Sequence, residues 1–119
     1  MSDRVGRITR RADFLRIARS SRRWVTPGLI VQTDRAPTDQ VRVGFTVTRK
    51  VGKAVVRNRI RRRLRSVATA MLDQHAMPGQ DFVVIGRAAT LERPYPSLHD
   101  DLMSALKGLR VWTDAPETP

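Results

Sequence analysis

"RKVGKAVVRNRIRRRLRSVA", residues 49–68, is the stretch on which the fold turns. From Ala54 to Leu72 the apolar set Val56, Ile60, Leu64, Val67 and Met71 steps by 4, 4, 3 and 4, which predicts one long helix with a single buried stripe. Outside that stripe the helix is arginine. Arg57, Arg61 and Arg65 form one row, Asn58 and Arg62 a second, and Arg59 with Arg63 a third on the far side of the stripe. Nine of the first seventeen residues of the stretch are Arg or Lys and none is acidic. Like charges four apart cost about 0.2–0.5 kcal/mol per pair, and a helix that only meets water mixes its signs. The pattern therefore predicts a surface that holds an anion. Gly52 and Lys53 precede the helix and set free backbone N–H groups and the positive dipole end beside Arg49, Lys50 and Lys53.

Working outward, VRVGFTVT (41–48) alternates strictly, with Val41, Val43, Phe45 and Val47 on one side and Arg42, Gly44, Thr46 and Thr48 on the other. This is a strand with one buried and one polar face. LIVQT (29–33) is a second strand, and Arg22 to Thr26 a short one before the Pro27-Gly28 turn. DFLRIAR (13–19) has helical spacing at Phe14, Ile17 and Ala18, and residues 1–10 read as a basic arm ordered only when a partner fixes it. Downstream, DFVVIGR (81–87) is a buried strand, a loop carries Pro94 and Pro96, and a last helix covers Ser97–Leu109. The order helix, three strands, helix, strand, helix predicts an α+β sandwich with helices packed on one sheet. One domain over residues 1–112 and a disordered tail over 113–119 are expected.

Charge narrows the partner. The net charge is +12, and residues 1–65 hold nineteen basic residues against four acids, whereas residues 66–119 hold four against seven. A polyanion is the natural partner, nucleic acid first. Twenty of the 23 basic residues are Arg, whose planar fork suits phosphate and stacks on bases. A membrane-surface helix is the rival, but the apolar stripe is needed by the sheet. No helix-turn-helix spacing supports a DNA-binding domain. VGKA (51–54) is no phosphate-binding P-loop: no Gly stands five residues before Gly52, and Ala54 replaces the hydroxyl. With no Cys there is neither a disulfide framework nor a cysteine-based zinc site, and no run is apolar enough to span a bilayer, so a cytoplasmic protein is expected. His75 and His99 lie outside the basic segment and read as surface or capping residues. Asp100 and Asp101 diverge by about 100° on a helix and fit first-turn acids better than a shared metal site. No residue is assigned a catalytic or metal-ligand role.

RKVGKAVVRNRIRRRLR closely resembles the signature segment of the bacterial ribonuclease P protein component, matching from Lys50 through Arg65 with Arg61 where that family often has Lys. The resemblance extends to DF at 13–14, RVGFTV at 42–47 and DFVVIGR at 81–87, and covers roughly residues 7–110. It implies a two-layer, ribosomal protein S5 domain 2-like sandwich: a βββαβα core with an N-terminal helix and a left-handed βαβ crossover. It implies a protein that pairs with a catalytic RNA, the RNA holding the Mg²⁺ that serves endonucleolytic removal of the 5′ leader from precursor tRNA. Carried over by position, Arg57, Asn58, Arg59, Arg61, Arg62 and Arg65 would contact the RNA subunit, supported by Arg49, Lys50 and Lys53. A cleft between the N-terminal helix and the sheet would receive the leader, with Phe14 as a stacking platform and Arg16, Thr46 and Thr48 nearby. Many relatives carry a second aromatic where this chain has Ala18, and some a Tyr where it has Gln32. The bland alternative is a structural, ribosomal-type RNA-binding protein with no part in cleavage.

Overall fold

The computed structural model describes residues 5–114. Five strands, β1 (Val5–Arg7), β2 (Arg23–Val25), β3 (Leu29–Arg35), β4 (Val41–Val47) and β5 (Gln80–Gly86), form one sheet in the order β1-β4-β5-β3-β2. The β1–β4 and β4–β5 pairs are parallel, and β3 runs antiparallel to both β5 and β2. Three helices complete the chain: α1 (Arg11–Arg19), α2 (Ala54–His75) and α3 (Tyr95–Gly108). The α2 helix forms the crossover between parallel neighbours β4 and β5.

Alternation in the strands sorts the two faces. Leu29 and Val31 of β3, Val41, Val43 and Val47 of β4, and Phe82 and Val84 of β5 are buried on one face. The α2 stripe closes over them through Ile60, Leu64, Val67 and Met71, joined by Leu98, Leu102, Ala105 and Leu106 of α3. The helix rests almost on the strand backbone: a Cβ at Gly86 would lie 2.4 Å from Ile60 Cγ2 and 2.9 Å from Val47 Cγ2. Ile60 and Leu64 are fully buried, so truncating either to Ala costs about 2–5 kcal/mol.

The α1 helix lies on the other face, where Ile17, Ile8 and Val83 form a second small core with Phe14 and Ile85 against it. Cross-strand register resolves this face into three rows. Asp34, Asp81 and Arg42 make a charged row; Arg23, Gln32, Val83 and Gly44 a middle one; Val25, Ile30, Ile85 and Thr46 the last.

Residues 5–8, read from sequence as part of a partner-dependent arm, are ordered by the protein itself. β1 pairs with Val41–Val43, the Ile8 N–H donates to the Val43 carbonyl at 3.0 Å, and Ile8 is buried. At the other end Thr113, read as tail, bonds the His75 carbonyl through its N–H at 2.7 Å; the rest of that expected tail from residue 115, like residues 1–4 of the arm, lies outside the described residues. Asp101 is not a first-turn acid facing water. It is buried and accepts from the Gly28 N–H at 3.0 Å and from Arg93 Nε at 2.5 Å, tying α3 to the β2–β3 turn. Trp24 packs flat on the end of α3, where a Cβ at Gly108 would sit 2.6 Å from its ring.

Candidate nucleic-acid interface

The first surface is the head of α2. Arg49 and Lys50 stand exposed on a short 3-10 turn (Arg49–Val51) that leads into it. Lys53 is the N-cap residue; no side chain caps the helix and its first turn holds no acid. The first N–H groups and the dipole are thus available beside three cations, the arrangement that favours phosphate oxygen. Further along, Asn58, Arg59, Arg62 and Arg65 are exposed and Arg57 and Arg61 half-exposed. Asn58 Oδ1 accepts from Arg61 Nη1 at 2.8 Å, which holds that guanidinium in a defined direction. Arg57 Nε is buried with no hydrogen-bond partner. Arg65 lies over the Phe45 ring, 5.8 Å from its centroid.

Arg63 has turned inward. Its Nε donates to the Thr90 carbonyl at 3.0 Å, its Nη2 donates to the Arg93 carbonyl, and its guanidinium stacks 4.4 Å from the Tyr95 centroid. It braces α2 against the segment that leads into α3, while the arginines around it face outward. No acid pairs with Arg57, Arg59, Arg61, Arg62 or Arg65 among the described residues.

The second surface is the cleft beside α1. The Phe14 ring is half-buried directly over β4, and only a glycine leaves room for it: a Cβ at Gly44 would lie 2.6 Å from both Cε1 and Cζ. Past the ring the Val25–Ile30–Ile85–Thr46 row stays partly open, with Val25 54% exposed. Thr48, exposed, continues from it toward Arg49. A face with an aromatic edge, an apolar floor and hydroxyls at its rim suits unstacked bases. Val25, Ile30 and Ile85 were not among the residues expected here; their spacing of two from Arg23, Gln32 and Val83 placed them on this face, but nothing in the sequence showed which part α1 leaves uncovered. Gln32, by contrast, is buried in the middle row.

Arg16, expected near the leader, has its terminal nitrogens occupied inside the protein: Nη1 donates to Asp34 Oδ2 at 2.7 Å and to the Arg35 carbonyl at 2.9 Å. Nη2 donates to Asp81 Oδ2 at 2.5 Å and to Asp13 Oδ1 at 3.3 Å. Burial opposes the charge, yet the bonds to Asp34, Asp81 and Asp13 outweigh it and raise the guanidinium pKa above its ordinary value. Arg42 makes a fork to Asp81, Nε to Oδ1 at 2.8 Å and Nη2 to Oδ2 at 2.6 Å, and these bonds raise its pKa also. With no spare terminal donor, Arg16 fastens α1 to β3 and β5 and so positions Phe14. Of the histidines, His75 stacks on Trp112 at 4.0 Å and sets Nδ1 3.0 Å from the Thr113 carbonyl, and His99 is exposed on α3.

Among the described residues no group of three or more His, Cys, Asp and Glu fits a metal ion. Asp13, Asp34 and Asp81 converge, but on Arg16 and Arg42. No described helix is long and apolar enough to cross a membrane.

Comparison with known proteins gives one answer. The family model described as Ribonuclease P matches residues 3–110. The chain is 50% identical over 126 residues to the "Ribonuclease P protein component" of Paramagnetospirillum magneticum, covering 100% of this chain and 95% of that one. It is 44% identical over 108 residues to the protein so named from Gluconacetobacter diazotrophicus, covering 90% and 93%. Among solved structures, the Staphylococcus aureus RNase P protein superposes with a TM-score of 0.75 at 29% identity, over 90% of this chain and 97% of that one. For the Thermotoga maritima protein the TM-score is 0.70 at 27% identity, over 86% and 96%.

Proposed function

Since the chain belongs to the ribonuclease P protein family, we propose that its two surfaces divide the work of that ribonucleoprotein. The α2 face holds the RNA subunit through Arg49, Lys50, Lys53, Arg57, Asn58, Arg59, Arg61, Arg62 and Arg65. The cleft at Phe14, Thr46 and Thr48, widened by Ile30 and Ile85, receives the single-stranded 5′ leader of precursor tRNA. The observation that carries this reading is the acid-free arginine surface of α2, presented by a helix locked to the sheet on its other side. A surface that repels itself is offset when phosphates lie on it. If about six phosphates are neutralised, affinity falls by roughly a thousandfold between 50 and 200 mM salt.

The protein supplies binding and orientation. Its converging carboxylates are consumed by Arg16 and Arg42, which does not fit a resident Mg²⁺, so we assign the Mg²⁺ and the catalytic groups to the RNA subunit and substrate. Holding the leader brings the scissile phosphate to that centre as part of one bound complex, a gain in effective concentration rather than a new chemical step. The complex works, on this reading, in the cytoplasm. A ribosomal-type role without cleavage is not favoured, since the family match spans both surfaces.

Reconstitution tests the proposal. Added to the RNA subunit and labelled precursor tRNA at low Mg²⁺, the protein should stimulate 5′ cleavage; no stimulation refutes it. Phe14→Ala should then weaken precursor binding by about 5- to 100-fold while sparing mature tRNA, the worth of one base stacked on an aromatic ring. Equal losses on both RNAs would make Phe14 a core residue only.

A further inference from the structure

A groove of about 630 Å³ runs between α2 and the segment that enters α3, lined by Arg59, Arg62, Arg63, Ser66, Glu92 and Tyr95, with Leu91 at its base. It lies on the α2 side of the sheet, away from the cleft beside α1. Its size is that of a small-ligand site, and its contents are those of a nucleotide site. Tyr95 keeps 43% of its surface in solvent. Its ring is held in place, with the Arg63 guanidinium 4.4 Å from its centroid and prolines on either side of it in the chain. Arg63 in turn is fixed by two carbonyls, so the ring rests on a rigid cation. An exposed, immobilised aromatic ring loses little freedom when a base stacks on it. Arg59 and Arg62, exposed beside it, have no acid partner among the described residues and are free to take the phosphate.

We propose that this groove is a nucleotide subsite in which one unpaired base of the RNA subunit stacks on Tyr95 while its phosphate lies on Arg59 and Arg62. The inference rests on the reading of α2 as the RNA-subunit surface and adds to it a place where one nucleotide is gripped by shape as well as charge. Glu92 is the one acid among the described residues of the lining. It keeps a second phosphate out and offers an acceptor to an exocyclic amino group, which favours adenine, guanine or cytosine over uracil.

Tyr95 is the single tyrosine of the chain, so 3-fluorotyrosine incorporated throughout places one fluorine probe in the groove of the intact protein. Binding of the RNA subunit should shift that signal, and a leader oligonucleotide alone should leave it unmoved. A signal that responds only to the leader, or to neither RNA, overturns the proposal. In binding assays Tyr95→Leu should lose about 5- to 100-fold in affinity for the RNA subunit with the salt dependence unchanged. Tyr95→Phe should bind as wild type. Arg59→Gln with Arg62→Gln should flatten the salt slope by about two. Wild-type affinity in Tyr95→Leu, with wild-type protein still stimulating precursor cleavage, would remove the groove and leave the subunit role standing. Failure of the wild type to stimulate cleavage would remove the subunit role whatever Tyr95 does.

Discussion

Replacing Asp81 by Asn tests whether the ion-pair cluster is what fastens α1. Asp81 is fully buried and its two oxygens accept three charge-assisted bonds, two from Arg42 and one from Arg16. An amide keeps the shape but turns one acceptor into a donor facing a guanidinium, so at least one bond is lost and two cations face a neutral group. Breaking a buried pair costs about 3–5 kcal/mol. Arg16 and Arg42 are 33% and 20% exposed and keep Asp13 and Asp34 as partners, so water and those acids recover part of it, leaving about 2–4 kcal/mol. For a domain of this size the melting temperature should fall by about 8–16 °C. Thermal unfolding by circular dichroism reads the total. Amide exchange reads its location, and protection should drop most in α1, with α2 and α3 less affected. Replacing Asp81 by Leu together with Arg42 by Met should be milder than either single change, since the buried pair becomes apolar and Arg16 keeps Asp13 and Asp34 as partners. A melting point within about 2 °C of wild type, or exchange that rises uniformly, would show that α1 is held by Ile17 and Phe14 alone.

Three further outcomes follow from the geometry. Gly44→Ala puts a methyl 2.6 Å from the Phe14 ring and should cost about 1–3 kcal/mol as the ring is pushed outward; precursor-over-mature tRNA discrimination should fall with RNA-subunit affinity unchanged, and loss of that affinity as well would contradict two separate surfaces. Arg61→Ala with Arg62→Ala should weaken RNA-subunit binding and reduce the slope of log affinity against log salt by about two; an unaltered slope would mean that α2 is not the contact. Sulfate or phosphate should raise the melting temperature, since a site at a hundredfold its dissociation constant contributes about 2.7 kcal/mol. An equal rise in chloride at matched ionic strength would reduce that effect to screening.

The central helix and strands were legible because their signals are periodic and local. Val56, Ile60, Leu64, Val67 and Met71 announce α2 without help from the rest of the chain, and the alternation of 41–48 announces β4. The arginine face was legible for the same reason, as an absence of acids over one continuous span. What escaped is what depends on distant pairing. β1 is three residues long with one β-branched side chain, and only its partnership with Val41–Val43 makes it a strand. Arg16 read as a cation available to RNA because two of its three acid partners stand 18 and 65 positions away. Arg63 shares its spacing with Arg59, yet faces carbonyls at Thr90 and Arg93. Tyr95 carries no pattern at all and gains meaning only from the arginine beneath it.

The strand order has a consequence for how the chain comes into being. β3 and β4 are neighbours in sequence but do not touch in the sheet; each pairs with β5, which is inserted between them. During synthesis, therefore, β4 can pair with β1 and β3 with β2, but the two halves of the sheet join only once residue 86 has left the ribosome. By then the whole of α2 has already emerged, its arginines unpaired with acids along the helix while the sheet that should anchor its apolar stripe is still in two halves. Connections of this kind are slow to close. For this family of topologies, an anion that settles on the helix early would quiet the repulsion along it and let the late strand arrive on a helix already formed.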